Sequence, residues 1–262
     1  MKKRIVALVL AVLTLMAVLA GCSAKEEKND NELVIGMTYY QPMNYKDENG
    51  KLIGFETEFA QAVCEKLGMT PVFKEITWSN KIIELNAGNV DVLWNGMTAL
   101  PELKEQVLFS NTYMKNSQIA VIRKEDAKKY TDLKSMDGAK VVAEAGSSGE
   151  AALKKVPELA KNFTPVEAQA TTFTVVKSKT ADISRVDAVT AAGTIGEGTS
   201  YSDLMIVPNV NLGDPEEYAV GIKKGNDELA EKINGAIKEL YDEGKIDELA
   251  AKYGLDGRVI AQ

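Results

Sequence analysis

Between residues 33 and 253 the chain alternates short apolar runs with stretches whose apolar residues recur at helical spacing. The runs typical of buried strands are 33–37, 71–76, 90–94, 118–122, 139–143, 187–189, 204–207 and 217–222. The helical stretches are 55–67, 81–87, a short one from Pro101, one from Glu150, and two at the end, 227–242 and 245–253. This alternation predicts an α/β protein with largely parallel sheets flanked by helices. Its length suits two lobes better than one sheet.

The first 21 residues predict a secretory signal peptide. A basic start, Lys2 to Arg4, precedes an apolar run from Ile5 to Ala20 that is short for a membrane span. The run ends in Leu19-Ala-Gly-Cys22, which resembles the bacterial lipobox and predicts lipidation of Cys22. An ordinary signal peptide or an uncleaved anchor is the alternative. Residues 22–31 are charged and predict a flexible tether.

Composition excludes several classes of site. The chain has no histidine, so imidazole catalysis and imidazole metal ligation are absent. It has two cysteines, and Cys64 falls on the apolar face of the 55–67 helix, which predicts a buried thiol. The net charge is −7, which disfavours nucleic acid as a partner. We expect neither a metal nor a cofactor.

Ordered local motifs carry a more specific signal. The segments that carry it are Tyr40-Gln-Pro-Met-Asn-Tyr45, Gly50-Lys-Leu-Ile-Gly-Phe-Glu-Thr-Glu58, Trp78, Leu85-Asn-Ala-Gly-Asn-Val-Asp91, Trp94-Asn-Gly-Met-Thr98, Phe109-Ser-Asn-Thr-Tyr113, 133–140, Gly146-Ser-Ser148, Val186-Asp-Ala188 and Tyr218-Ala-Val-Gly-Ile-Lys-Lys-Gly225. In this order they resemble the amino-acid-binding group of type II extracytoplasmic solute-binding proteins, the capture subunits of ABC importers.

The resemblance implies a periplasmic-binding-protein type II, or Venus-flytrap, fold. Two lobes would be joined by two crossing strands, near 118–124 and 217–222, and would enclose a ligand between them. We expect lobe one to hold residues 32–120 and 221–262, and lobe two to hold residues 121–220.

The resemblance also implies a set of ligand contacts. Tyr40 and Trp78 would sandwich the ligand, although both could instead be core residues. The loop from Asn95 through Gly96 and Met97 to Thr98 would contact it through backbone groups and the Thr98 hydroxyl. Ser147 and Ser148, before a helix, would face an anionic group, and the alternative is a helix cap alone.

Two positions depart from the family pattern. An arginine that holds the ligand carboxylate is expected five residues after Thr98, where this chain has Leu103. An acidic residue that pairs with the ligand ammonium is expected five residues after Asp187, where the chain has Ala192. Either the ligand is less zwitterionic than a free α-amino acid, or neighbours such as Glu144 and Lys104 supply the missing polarity. Arg123, at a crossing strand, and Arg185, on the surface, would not replace the arginine.

We therefore predict a monomeric, lipid-anchored capture subunit on the outer face of the cytoplasmic membrane or in the periplasm. Its partners would be a small-molecule ligand, such as an amino acid or a less zwitterionic analogue, and an ABC permease with its ATPase. The alternatives are a ligand-sensing module for a membrane receptor and a dehydratase-like enzyme that acts on cyclic acids. Catalysis would need a positioned acid and a carboxylate-holding arginine, and Leu103 occupies the position of that arginine.

Overall fold

The computed structural model describes residues 31–208, 210 and 212–262. The segment Leu33–Gln262 forms one compact unit. The predicted signal peptide, the lipidation site Cys22 and most of the tether lie outside the described residues. Within the described part of the chain, no helix combines the length and the apolar character needed to cross a membrane.

Fourteen strands are found in the described residues. In chain order they are β1 (Glu32–Met37), β2 (Tyr45–Lys46), β3 (Leu52–Ile53), β4 (Thr70–Glu75), β5 (Val92–Leu93), β6 (Val107–Phe109), β7 (Met114–Asn116), β8 (Gln118–Arg123), β9 (Val141–Glu144), β10 (Phe163–Val166), β11 (Ile183–Asp187), β12 (Leu204–Ile206), β13 (Glu216–Tyr218) and β14 (Gly221–Lys223).

Eight α-helices lie between or after these strands in the same residues. They are α1 (Phe55–Leu67), α2 (Lys81–Ala87), α3 (Ser148–Leu153), α4 (Pro157–Ala160), α5 (Gln169–Lys177), α6 (Ala188–Thr194), α7 (Asp227–Asp242) and α8 (Lys245–Lys252). Single 3-10 turns occur at Trp78–Asn80, Pro101–Leu103, Lys124–Asp126 and Lys134–Met136.

The strands form two five-stranded sheets, and we call the lobes built on them lobe one and lobe two. The sheet of lobe one has the order β4-β1-β5-β14-β6, with β1 parallel to β5 and β14 antiparallel to both of its neighbours. The sheet of lobe two has the order β10-β9-β11-β8-β12, with β8 antiparallel to β11 and β12. The predicted two-lobe α/β fold is confirmed.

A two-stranded ribbon joins the sheets. Its strands β7 and β13 pair antiparallel, with Lys115 opposite Glu217. The chain leaves lobe one through β7, enters lobe two at β8, and returns through β13 to β14. The first crossing strand therefore lies before Gln118, because β8, which we expected to cross, belongs wholly to the sheet of lobe two.

Aromatic packing fills the core of lobe one. The Phe59 ring lies 5.2 Å from the Trp94 ring and 5.3 Å from the Tyr113 ring, in edge contacts that favour aromatic pairs. Ile233 and Ile237 of α7 join the same core, although they follow all of lobe two in sequence. Cys64 is also buried in this core as a free thiol, as predicted, and burial raises its pKa to about 11.

The prediction of a strand at 187–189 is wrong. The strand β11 lies earlier, and α6 begins at Ala188. Ser184 and Arg185 hide the strand in the sequence, because two polar residues interrupt the apolar run that normally marks a buried strand. Both residues are buried in the structure.

Candidate ligand-binding cleft

Residues from both lobes enclose a cleft. The lining residues are Tyr40, Trp78, Lys81, Asn95, Gly96, Met97, Thr98, Leu100, Leu103, Glu144, Gly146, Ser147, Ser148, Gln169 and Asp187. The space in which the centre of a water molecule fits is ≈ 20 Å³, which is room for about one water. All the ligand contacts predicted from the sequence lie in this lining except Ala192, and their contact with a ligand stays a prediction.

Hydrogen bonds to Thr38 and Glu56 hold the loop after β5 in place. The Asn95 side chain accepts a hydrogen bond from the Thr38 N–H at 2.8 Å and donates one to the Thr38 hydroxyl at 2.7 Å. Gly96 has φ +56°, and a Cβ there would collide with the Tyr40 hydroxyl. Its N–H donates to the buried carboxylate of Glu56 at 2.8 Å. Asn95 therefore positions the loop, and glycine is required at the next residue.

Tyr40 and Trp78 line the cleft and are also buried. The Tyr40 hydroxyl has no hydrogen-bond partner, and burial raises its pKa well above the usual value. Trp78 packs in an apolar cluster with Leu85 and Met97 while its ring faces the cleft. The two alternatives left open by the sequence, core and cleft, both hold for Trp78.

Lys81, at the start of α2, reaches across the cleft. Its Nζ donates to the carbonyl oxygen of Gly146 at 2.6 Å and lies 4.8 Å from the centre of the Trp78 ring. Burial lowers its pKa to about 8. Gly146 has φ +73°, and a Cβ there would lie 2.8 Å from Ser79 Cα. The two lobes therefore touch through residues 79–81 and Gly146.

The two serines have different partners. Ser147 is the N-cap of α3, and its hydroxyl accepts from the Glu150 N–H at 3.1 Å and donates to the Glu144 carbonyl at 2.7 Å. The cap expected from the sequence is confirmed. The Ser148 hydroxyl instead accepts a hydrogen bond from the hydroxyl of Thr98, 3.2 Å away in the other lobe.

Three carboxylates lie in the cleft or next to it. Asp187 Oδ1 accepts from the amides of Asn116, at 2.7 Å, and Gln118, and its Oδ2 accepts from the Gln169 amide at 2.8 Å. Glu216 Oε2 accepts from the same Asn116 and Gln118 amides, at 2.8 and 3.0 Å. Burial raises the pKa of both carboxyls, and the Asp187 charge raises that of Glu216 further.

Glu144, the third carboxylate, ends β9 with 3% of its surface exposed. Its Oε1 has no hydrogen-bond partner. The pKa of Glu144 is raised to about 8, first by burial and then by the Asp187 charge, while Lys81 acts in the opposite direction. Two acidic side chains therefore line the cavity itself, Glu144 and Asp187, against one lysine.

The prediction that position 192 faces the ligand is wrong. Ala192 lies exposed on α6, outside the cleft lining. The resemblance implies an acidic residue five positions after an aspartate. Counted from Asp182 instead of Asp187, that position is Asp187 itself. Asp187 ends the strand β11 and lines the cleft, so an acidic residue is present there. Leu103, at the position where the resemblance implies an arginine, lines the cleft and packs on the Trp78 cluster.

The two arginines considered as substitutes are both buried. Arg185, expected at the surface, is 1% exposed, and its guanidinium nitrogens have no hydrogen-bond partner. Burial lowers its pKa to about 10. Arg123 pairs with Asp126 at 2.6 Å and Asp182 at 3.2 Å, away from the cleft. Neither lines the cavity.

This geometry agrees with comparison to known families. Residues 33–256 match the family of bacterial extracellular solute-binding proteins, family 3. The chain belongs to this family.

Relatives of this family 3 protein share most of its length. The probable amino-acid-binding protein YxeM of Bacillus subtilis is 32% identical over 94% of this chain and 93% of its own. A substrate-binding protein of an ABC uptake transporter from Streptococcus pneumoniae, solved with bound histidine, superposes with a TM-score of 0.79 at 32% identity, over 87% of this chain and 94% of that one. The ancestral amino acid-binding protein AncCDT-1, a precursor of cyclohexadienyl dehydratase, superposes with a TM-score of 0.75 at 30% identity, over 85% of this chain and 95% of its own.

Sequence reasoning missed Lys81 and Glu216. A signal was available for Lys81, because a lysine in the first turn of a helix opposes the helix dipole and needs another reason to be there. Glu216 offers no local signal, because it contacts Thr98 and Ser148 only through the fold, 118 and 68 residues away in sequence.

Proposed function

We propose that this family 3 protein is the extracytoplasmic substrate-capture lipoprotein of an ABC importer for amino acids or amino-acid-like small molecules. The observation that carries the proposal is the cleft, which is lined from lobe one by Asn95 to Thr98 and from lobe two by Gly146 to Ser148. The relatives named above support it, since YxeM is named as a probable amino-acid-binding protein and the Streptococcus protein was solved with histidine.

Capture would proceed by lobe closure. A ligand docks on Tyr40, Trp78 and the loop of lobe one, and lobe two closes over it about the β7–β13 ribbon. Contacts available to the closed form include Lys81 with Gly146 and Thr98 with Ser148. Since the free space in this closed arrangement is about that of one water, exchange of a ligand requires the lobes to separate.

The division into two lobes remains part of this proposal, with the first boundary moved from residues 120–121 to the start of β8 at Gln118 and the second kept at residues 220–221. The same holds for the monomeric state, for anchoring through a lipidated Cys22, and for delivery of the ligand to a permease driven by an ATPase. We further infer that the cleft binds without catalysing, which the comparisons support, because AncCDT-1 is itself named as a binding protein although it is a dehydratase precursor.

The direct test is a binding screen of the full-length chain, purified in detergent, against free amino acids and their amine analogues by isothermal titration. We expect at least one ligand with a micromolar or tighter dissociation constant, and weaker binding by the Trp78→Ala variant. Ile83→Ala is the control, because Ile83 lies on α2 with 67% of its surface exposed and outside the cleft. Absence of binding across the whole screen, or equal loss in the control, would contradict the proposal.

A further inference from the structure

Glu216 presents a carboxylate to the groups that the family resemblance assigns to the ligand carboxylate. Its Oε2 lies 3.3 Å from the Thr98 hydroxyl and 3.3 Å from the Ser148 hydroxyl. The amides of Asn116 and Gln118 donate to the same oxygen. One oxygen of the protein therefore lies within hydrogen-bond distance of four donor groups from both lobes, including the hydroxyls that the resemblance assigns to a bound anion.

Building on the proposed function, we propose that the ligand is a small organic cation without a carboxylate, an amine or a guanidine, whose missing carboxylate is supplied by Glu216. Leu103 agrees with this assignment. A ligand carboxylate placed beside Thr98 would meet the Glu216 carboxylate with no arginine between them. Two like charges at such a distance oppose each other strongly when buried.

The charge of the cleft also favours a cationic ligand. Glu144 and Asp187 line it with two carboxylates. A third, Glu216, lies next to the lining residues Thr98 and Ser148, and Glu56 lies directly behind the Gly96 loop. The basic groups that act on these acids are Lys81, which is bound to the Gly146 carbonyl, and Arg185. With all six groups charged, the balance is negative, and a cation offsets it where a neutral zwitterion does not.

Two buried acceptors in the cleft lack a partner. Glu144 Oε1 has none, and the Tyr40 hydroxyl oxygen has none. Both residues line the cavity. A buried polar atom without a partner is costly, so a donor is expected from whatever fills the cavity. An ammonium or guanidinium group supplies several donors and can also lie over an aromatic face such as that of Trp78.

An apolar part of the cavity wall sets the body of the ligand. Leu100 and Leu103 line the cavity beside Trp78 and Met97. This surface suits an aliphatic or aromatic carbon chain and offers no charge to a carboxylate. The arrangement therefore fits an amine whose cationic end meets the acids and whose apolar part meets this wall.

The test uses matched pairs that differ only in the carboxylate. The full-length chain, purified in detergent, is titrated with agmatine against arginine, cadaverine against lysine, putrescine against ornithine, histamine against histidine, and tyramine against tyrosine. We expect at least one amine to bind about tenfold or more tighter than its amino acid, a difference of about 1.4 kcal/mol. Tighter or equal binding of the amino acid in every pair that binds would overturn the inference and leave the proposed function standing. No binding of either member of any pair would overturn the inference, and the proposed function would then rest on the wider screen.

A pair of variants isolates the role of Glu216. Glu216→Gln keeps the shape and an acceptor oxygen but removes the charge, so we expect it to weaken amine binding about tenfold or more and to narrow the preference over the matched amino acid. Glu217→Gln is the control, because Glu217 is exposed on the same strand and accepts from Thr112. Both variants must keep the thermal midpoint of the parent. A folded Glu216→Gln protein with unchanged preference, or equal effects of the two substitutions, would overturn the assignment.

Discussion

Asp187 and Glu216, which belong to different strands of the fold, share two donors, the side-chain amides of Asn116 and Gln118. Asn116 Nδ2 lies 2.7 Å from Asp187 Oδ1 and 2.8 Å from Glu216 Oε2. Each carboxylate lies in a buried setting that favours its protonated form. A cation bound beside them would favour the ionised form of both.

Cation binding should therefore strengthen as pH rises from 6 to 8. Glu144, with a pKa raised to about 8, is largely neutral below that pH, and Asp187 and Glu216 shift in the same direction. Lys81, with a pKa lowered to about 8 and acted on by Glu144 and Glu150, loses its charge over the same range, which also favours a cation. Titrations of agmatine in buffers of different ionisation enthalpy should show proton release at pH 7. A flat pH profile without proton release would contradict this prediction.

Stability without ligand should change in the opposite direction. A carboxyl group whose folded pKa lies above its unfolded value binds more protons in the folded state, so the unfolding free energy falls as pH rises from about 4.5 to 8. Glu144 meets this condition, and so does Glu56, whose pKa burial raises to about 7. Urea unfolding of Glu144→Gln should show a shallower fall by a few kcal/mol than the parent. Parallel curves for the two proteins would mean that Glu144 is already ionised in the fold.

Two single substitutions can test which of positions 103 and 192 faces the cleft. Leu103→Arg places a guanidinium at the cleft wall, where it should improve the affinity for free α-amino acids and weaken that for amines, each by about tenfold. Ala192→Asp should change neither, because Ala192 is exposed on α6. Titration of both variants with arginine and agmatine checks this. If Ala192→Asp changed these affinities as much as Leu103→Arg does, position 192 would face the ligand, as the spacing counted from Asp187 implies.

Lys81 should hold the lobes together. Lys81→Met removes the 2.6 Å hydrogen bond to Gly146 and keeps the aliphatic stem beside Trp78. We expect a larger radius of gyration by small-angle scattering, with the thermal midpoint nearly unchanged. Lys74→Met is the control, because Lys74 is exposed on β4 of the same lobe. An identical radius for the parent and both variants would show that other contacts hold the closed arrangement.

Membrane attachment should depend on one cysteine. Cys22→Ser is expected to move the protein from the membrane fraction to the soluble fraction, since no other lipid attachment site is proposed. Cys64→Ser is the matched control, because Cys64 is a buried free thiol in the core of lobe one. Fractionation of cells that express each variant distinguishes them, and membrane retention of Cys22→Ser would refute the lipobox interpretation.

Local patterns in the sequence predict a large part of this molecule. The loop from Asn95 to Thr98 and the residues Tyr40 and Trp78 are placed in the cleft by the family resemblance, which rests on short motifs that contain them. The helix that carries Cys64 is predicted to the residue, since its apolar period and terminal glycine agree.

Contacts between distant segments were not predictable in the same way. Glu216 meets Thr98 because the β7–β13 ribbon brings them together, and nothing adjacent to Glu216 in sequence indicates this. The sequence pattern does not show that Asp187 ends a strand, because the polar residues Ser184 and Arg185 interrupt the apolar run of β11. A buried arginine contradicts the usual preference of its residue type, so pattern alone places Arg185 at the surface.

The order of strands in lobe one bears on how the chain folds as it is made. The strand β14 lies between β5 and β6, so β6 joins that sheet only through residues 221–223. Every strand of the other sheet precedes residue 207. During synthesis or export from the N-terminus, lobe two can therefore finish folding while lobe one still lacks its interior strand β14 and α7. The first lobe to begin is the last to be completed, and the chain stays incompletely folded until nearly all of it has emerged.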